Sequence, residues 1–275
     1  MKAFGLLLGL VLACAAQSVR AETVEFPGED VRLRGELFRP AGAGPFPAVV
    51  ALHGCGGLYG KDGGLSPRHA DWAKRLTEAG FIVLLPDSFG SRGLESQCNT
   101  SERVARASRE RPDDALAAGD YLKSRADVKQ AAVNLLGWSN GGSTVLYTLR
   151  NVARGRSGKA GPFVKAIAFY PGCRVPLERG NWHSAIPFLV LIGEADDWTP
   201  AAPCRTLVDQ AKAAGEPVSI VTYPGAYHDF DHPDQKLHIH RGLAFTASGS
   251  GVAHSGTNMP ARTDSIARVL EFLAR

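Results

Sequence analysis

Short apolar runs alternate with amphipathic stretches along most of the chain. The runs at 31–38, 48–53, 81–86, 132–137, 166–170, 188–192 and 218–223 are mostly continuous in their hydrophobicity rather than alternating. Runs of that kind predict strands buried on both faces. Helical periodicity covers 67–79, which ends at Gly80, and then 102–124, 141–151, 200–214 and 264–273. A starting hairpin followed by strand–helix repeats predicts an α/β fold with a mostly parallel central sheet and right-handed crossovers. No internal repeat, low-complexity tract or linker divides residues 22–275, which read as one domain. Residues 229–261 lack strong periodicity and are expected to form a surface excursion or a flap over the site.

The N-terminus departs from this pattern. Met1-Lys2 precedes an almost wholly apolar stretch from Phe4 to Ala16, and Val19 and Ala21 are small residues three and one positions before Glu22. This is the grammar of a secretory signal peptide at residues 1–21, too short to span a bilayer comfortably. A lipoprotein cut before Cys14 is the weaker alternative, because Leu12 fits that site poorly. No later stretch is long and apolar enough to cross a membrane, so no stable span is expected after leader cleavage. The protein is expected to be exported, periplasmic or secreted.

Composition narrows the function classes. The chain has 275 residues, of which 44% are hydrophobic and 21% charged, enough for a sizeable core and unlike a disordered chain. Its net charge of +4 falls to +2 when Lys2 and Arg20 leave with the leader, too little to predict a nucleic-acid partner. Loss of Cys14 leaves Cys55, Cys98, Cys173 and Cys204, an even number for an oxidising compartment. Four cysteines allow three pairings, and spacing does not choose among them.

Four loops carry the candidate chemistry. Gly137-Trp138-Ser139-Asn140-Gly141 lies between a predicted strand and a predicted helix, where a tight turn would lift the Ser139 hydroxyl above the sheet. His228 follows the last predicted strand and is the expected base for that hydroxyl. Asp196 and Asp197 end another strand; Asp196 is favoured to orient His228, while Asp197 could equally cap the next helix. The loop Leu52-His53-Gly54-Cys55-Gly56-Gly57 offers backbone donors. The N–H groups of Cys55 and Asn140 are the expected oxyanion hole, with Cys55 preferred to Gly54. Trp138 either lines the acyl pocket or packs beside the elbow.

From Glu22 to the C-terminus the sequence resembles the dienelactone hydrolase family of α/β-hydrolases, specifically exported members with serine. The resemblance rests on LHGCGG, PDSFGSRG at 86–93, GWSNGG at 137–142, FYPGC at 169–173, GEADDWTP at 193–200 and YPGAYHDF at 223–230. It implies an αβα sandwich and cleavage of an ester or lactone through Ser139, His228 and Asp196. In the family the acid stands four residues before a proline, which Asp196 does with Pro200. The implied strand order makes the third and fourth strands neighbours, and the sixth and seventh. That implies the bridges Cys55–Cys98 and Cys173–Cys204.

The chain departs from the dienelactone-cleaving members at several places. They carry cysteine where Ser139 stands, glutamate where His53 stands, and an arginine where His232 stands. Their other substrate-binding arginine falls one residue before Arg92, which becomes the candidate for holding an acidic substrate group. GWS-x-G also resembles bacterial cutinases and polyester hydrolases, although their oxyanion loop differs from HGCGG.

The partner implied is a small-molecule ester or lactone, with no cofactor. His228, His232, His238 and His240, with Asp229, Asp231 and Asp234, fit no metal-binding spacing. Arg103, Arg106, Arg109 and Arg111 are read as a solvated helix face. Rival readings are a peptidase on the same fold, a binding protein that keeps the fold without catalysis, and a metal-dependent hydrolase. The sequence carries no signal for oligomeric state.

Overall fold

The computed structural model describes residues 21–153 and 161–275, with backbone alone for 151–153. The leader expected at residues 1–21 lies outside the described residues except for Ala21, as does Cys14. Ala21 opens β1 (Ala21–Pro27), which pairs antiparallel with β2 (Arg32–Phe38) as the starting hairpin. In β1 only Val24 and Phe26 are buried, the one-sided alternation of an edge strand.

Six further strands complete the sheet: β3 (Phe46–Leu52), β4 (Ile82–Pro86), β5 (Val128–Trp138), β6 (Lys165–Phe169), β7 (Phe188–Gly193) and β8 (Val218–Tyr223). The order is β1-β2-β4-β3-β5-β6-β7-β8. β2 is antiparallel to both neighbours, and every pair from β4 to β8 is parallel. Every residue of β4 and β7 is buried, so both sheet faces are covered there.

The covering helices are α1 (Pro67–Glu78), α2 (Glu110–Ser124), α3 (Asn140–Ala153), the short α4 (Arg174–Glu178), α5 (Ala201–Ala213) and α6 (Met259–Ala274). α1 starts at a proline, whose missing N–H costs nothing in a first turn, and buries Trp72, Ala73 and Leu76 at helical spacing. α2 and α3 pack on β5 and on each other. Arg262 of α6 bonds Asp71 of α1 at 2.6 Å. The result is the three-layer αβα sandwich of the α/β-hydrolase fold. β4 and β5 lie on opposite sides of β3, so a crevice opens at the carboxyl ends of β3 and β5, where such sheets bind ligands.

Two helix starts differ by five residues or more from the sequence expectation. α2 begins at Glu110 rather than 102, because Pro112 is tolerated only in a first turn and fixes the start. α6 begins five residues before 264, since Asn258 caps it through Ala261 N–H and Pro260 fits its first turn. Of the expected excursion at 229–261, residues 229–258 lie outside the sheet and α6 with their own hairpin, β9 (His238–His240) and β10 (Ala253–Ser255), and 259–261 belong to α6. The excursion is tied down by the bond from Ala244 N to Cys98 O at 3.0 Å and by a bridge between His228 and Ser255.

Candidate active site

Ser139 occupies the turn between β5 and α3 with φ of +52°, a conformation unusual for a residue with a side chain. Close packing imposes this geometry. A Cβ on Gly141 would lie 2.1 Å from Leu52 O, and one on Gly137 would lie 2.4 Å from Gly141 O. Glycine alone lets β3, β5 and α3 converge there.

The hydroxyl meets its neighbours at hydrogen-bond distance. His228 Nε2 is 2.9 Å from Ser139 Oγ, and His228 Nδ1 is 2.8 Å from Asp196 Oδ2. With Nδ1–H donating to the carboxylate, Nε2 is free to accept from the serine. Asp196 is held in turn: its Oδ1 accepts from Trp198 N at 2.9 Å and Thr199 N at 2.8 Å. Burial opposes charge on His228, but the Asp196 carboxylate and its hydrogen bond outweigh that and raise the pKa. Asp197 points away, accepting from His254 Nδ1 at 2.7 Å and His254 N at 2.8 Å.

The loop after β3 runs beside the elbow, where a Cβ on Gly54 would sit 3.5 Å from that of Ser139. Cys55, Ser139 and Asn140 line one cavity together. Both disulfides have the expected pairing, Cys55–Cys98 and Cys173–Cys204. The first fastens the loop after β3 to the loop after β4, and the second fastens α4 to α5.

Two sequence candidates lie elsewhere. Arg92 is not aimed at a substrate: its Nη1 and Nη2 grip Asp114 at 2.9 and 2.8 Å, its Nε and Nη2 reach Asp30, and its side chain is only 6% exposed. A guanidinium spent on a buried carboxylate is an anchor for α2 rather than a ligand clamp. Trp138 packs beside the elbow rather than lining a pocket. It is fully buried, and its Nε1 donates to Asp231 Oδ2 at 2.9 Å.

Several groups were invisible in the sequence. Asp231 is fully buried and also accepts from Trp72 Nε1 at 2.7 Å and Tyr170 Oη at 2.6 Å. Arg68 bonds the Tyr170 hydroxyl at 3.1 Å and pairs with Asp229. Desolvation works against charge on Asp229, yet Arg68 brings its pKa down to about 2. Arg111, taken as part of a solvated face, is fully buried. Its Nη2 donates to His53 O at 2.7 Å and its Nη1 to Asn140 Oδ1. His53 is also buried, and burial holds it neutral. Local sequence signals none of these roles, because each partner is remote in the chain. The histidines of the excursion have separate polar partners: His254 holds Asp197, His240 bonds Ser255 Oγ at 2.7 Å and packs edge-on with His238 at 4.7 Å, and His232 Nδ1 accepts from Asp234 N. Among the described residues no group of three or more His, Cys, Asp or Glu is arranged to hold a metal ion.

Comparison with known proteins gives the family. The family model described as "Dienelactone hydrolase family" matches residues 33–275. A Methylorubrum extorquens protein named "Putative carboxymethylenebutenolidase" is 27% identical over 241 residues, 82% of this chain and 77% of that protein. The dienelactone hydrolase-like promiscuous phosphotriesterase P91, from metagenomic libraries, superposes with a TM-score of 0.67 at 20% identity over 93% of this chain and 98% of its own. Esterase 2 of Thermogutta terrifontis, in a structure phosphorylated by paraoxon, gives 0.62 at 18% identity over 92% and 93%. At such identities the two structures speak to the fold.

Proposed function

This chain is a carboxylic ester hydrolase that belongs to the dienelactone hydrolase family, and from that premise we propose that it works through Ser139, His228 and Asp196 by an acyl-enzyme. The observation that carries this reading is the placement of His228 between Ser139 and Asp196 at 2.9 and 2.8 Å. His228 Nε2 takes the hydroxyl proton as Ser139 Oγ attacks the carbonyl carbon. Asp196 holds the Nδ1–H tautomer and stabilises the imidazolium. The N–H groups of Asn140 and Cys55 receive the developing oxyanion. The imidazolium returns the proton to the leaving alkoxide, which departs as the alcohol. Water, activated by the same imidazole, then releases the acid and restores the serine. Arg111 has a positioning role, tying the Cys55 loop to the elbow.

Export into an oxidising compartment, with residues 1–21 as a cleaved leader, is part of this proposal and is supported by the two disulfides. No helix among the described residues is long and apolar enough to cross a membrane.

The test is hydrolysis of p-nitrophenyl acetate and butyrate by the wild type, Ser139→Ala and His228→Ala, with and without EDTA. The reading requires activity that is lost in both variants and indifferent to chelation. Activity that survives Ser139→Ala rejects it, loss on chelation favours the metal-dependent alternative, and a folded but inert wild type favours a binding protein. Paraoxon labelling followed by peptide mass spectrometry should find the phosphoryl adduct on Ser139.

A further inference from the structure

Two cavities meet at Ser139, and their linings differ in chemistry. The larger, about 880 Å³, is lined by Asn140 and by apolar groups that include Tyr147, Val175, Pro200, Ala244 and Phe245. The smaller, about 520 Å³, is lined by His228 and by polar groups that include Arg68, Asn99, Asp229 and His240. Ser139, Cys55 and Trp198 border both, and the Trp198 ring lies 4.8 Å from that of His228. Both volumes suit bound ligand groups of ordinary size.

The proposed chemistry fixes which half of an ester enters which cavity. His228 must hand its proton to the alcohol oxygen, so the alcohol half lies on the side His228 borders. The acyl half then extends the other way. Each lining selects its occupant. Charged groups stand at the rim of the larger cavity, Glu102 and Arg179 among them, and three of the guanidinium groups there have partners: Arg106 with Glu110 at 2.5 Å, Arg174 with Ala247 O at 2.9 Å, and Arg103 with Gln97 O while stacked 4.8 Å over Phe245. Val175 and Phe245 are 43% and 54% exposed at this mouth, apolar surface that an acyl group would cover. In the smaller cavity an alkyl alcohol would strip water from the exposed Asn99 and from the remaining polar atoms of the Arg68–Asp229 pair and return no hydrogen bonds, whereas a hydroxylated alcohol returns them.

We propose that the substrate class is an ester joining a bulky, largely apolar acyl group, held in the larger cavity, to a small hydroxylated alcohol, held in the smaller one. This rests on the serine-hydrolase reading and names its specificity.

Two matched series of esters, used below their critical micelle concentrations, test the assignment. The acyl series is ethyl acetate, butyrate and octanoate; the alcohol series is ethyl, glyceryl and hexyl octanoate. The wild type is expected to favour ethyl octanoate over ethyl acetate, and glyceryl over hexyl octanoate, each by at least about tenfold in kcat/KM. Val175→Trp, at the rim of the larger cavity, is expected to collapse the octanoate-to-acetate ratio and spare the glyceryl-to-ethyl ratio. Ile239→Trp, 47% exposed and bordering the smaller cavity, is expected to do the reverse. Circular dichroism confirms that each variant is folded. Crossed effects, ratios that move in neither variant, or preference for the hexyl ester overturn the proposal. Ser139-dependent hydrolysis with the wrong ratios rejects only the cavity assignment, whereas hydrolysis that survives Ser139→Ala rejects the serine reading beneath it.

Discussion

Arg111 is hydrogen-bonded to the side chain of Asn140, the residue directly after the elbow serine. The same guanidinium holds His53 O at 2.7 Å, at the start of the loop that bears Cys55. One buried cation therefore joins the two backbone segments assigned to the oxyanion hole. Its cost is visible in its acidity, since burial brings its pKa down to about 9.

Arg111→Met should lower kcat by about 10- to 100-fold, about 1.4–2.7 kcal/mol of barrier, because the two segments lose the donor that joins them. KM should change little, and Arg111→Lys should recover part of the loss. Steady-state kinetics on p-nitrophenyl butyrate separate the two parameters. A proportional fall in folded protein with unchanged kcat per folded molecule would show a purely structural role.

The neighbouring acids should behave unequally. Asp196→Asn removes the charge that holds His228 in its working tautomer and should lower kcat by about 10⁴-fold. Asp197→Asn touches only the link to His254 and should stay within about threefold of wild type. Equal losses in the two variants would refute the distinction.

The pH dependence follows from His228. Its pKa lies above the ordinary value of 6.5, raised by Asp196 against the pull of burial. The neutral ring is the base, so kcat/KM should rise with pH through a midpoint above 6.5. Asp196→Asn should move that midpoint downward. Stability has the opposite sign: the contribution of the charged pair is fully present below 6.5 and is lost as pH rises through the folded-state pKa. A wild-type rate profile with its acid midpoint below 6.5 would contradict this.

Removing either disulfide should cost about 2–4 kcal/mol of stability. The effects on catalysis should differ. Replacing Cys55 and Cys98 together by alanine loosens a loop beside Ser139 and should lower kcat on every substrate. Replacing Cys173 and Cys204 together alters a wall of the larger cavity and should fall mainly on KM for long acyl chains. Denaturant midpoints and kinetics on acetate and octanoate esters check both.

The parts legible in the sequence share a physical property: each is a loop placed by the end of its own strand. Ser139 and Asp196 stand between a strand and a helix start, and His228 stands just after the last strand of the large sheet, so each position carries a local signal. The supporting groups could not. Arg111 reaches Asn140 across 29 positions, Trp138 reaches Asp231 across 93, and Arg68 reaches Asp229 across 161. Arg92 departs from the sequence expectation for a related reason. Its position fits a substrate contact, but Asp114, 22 residues on, claims the guanidinium. The hairpin in the excursion leaves no signal in the sequence because two three-residue strands are too short for periodicity to register.

The excursion also bears on how the enzyme is made. It leaves the sheet with His228 and returns through Ser255 and Gly256, whose N–H bonds His228 O at 2.9 Å, before α6 closes the chain. Ser139 leaves the ribosome 89 residues before His228. In the proposed mechanism the nucleophile is therefore synthesised early and armed late. A nascent chain would carry a serine without its base, harmless to the esters around the ribosome.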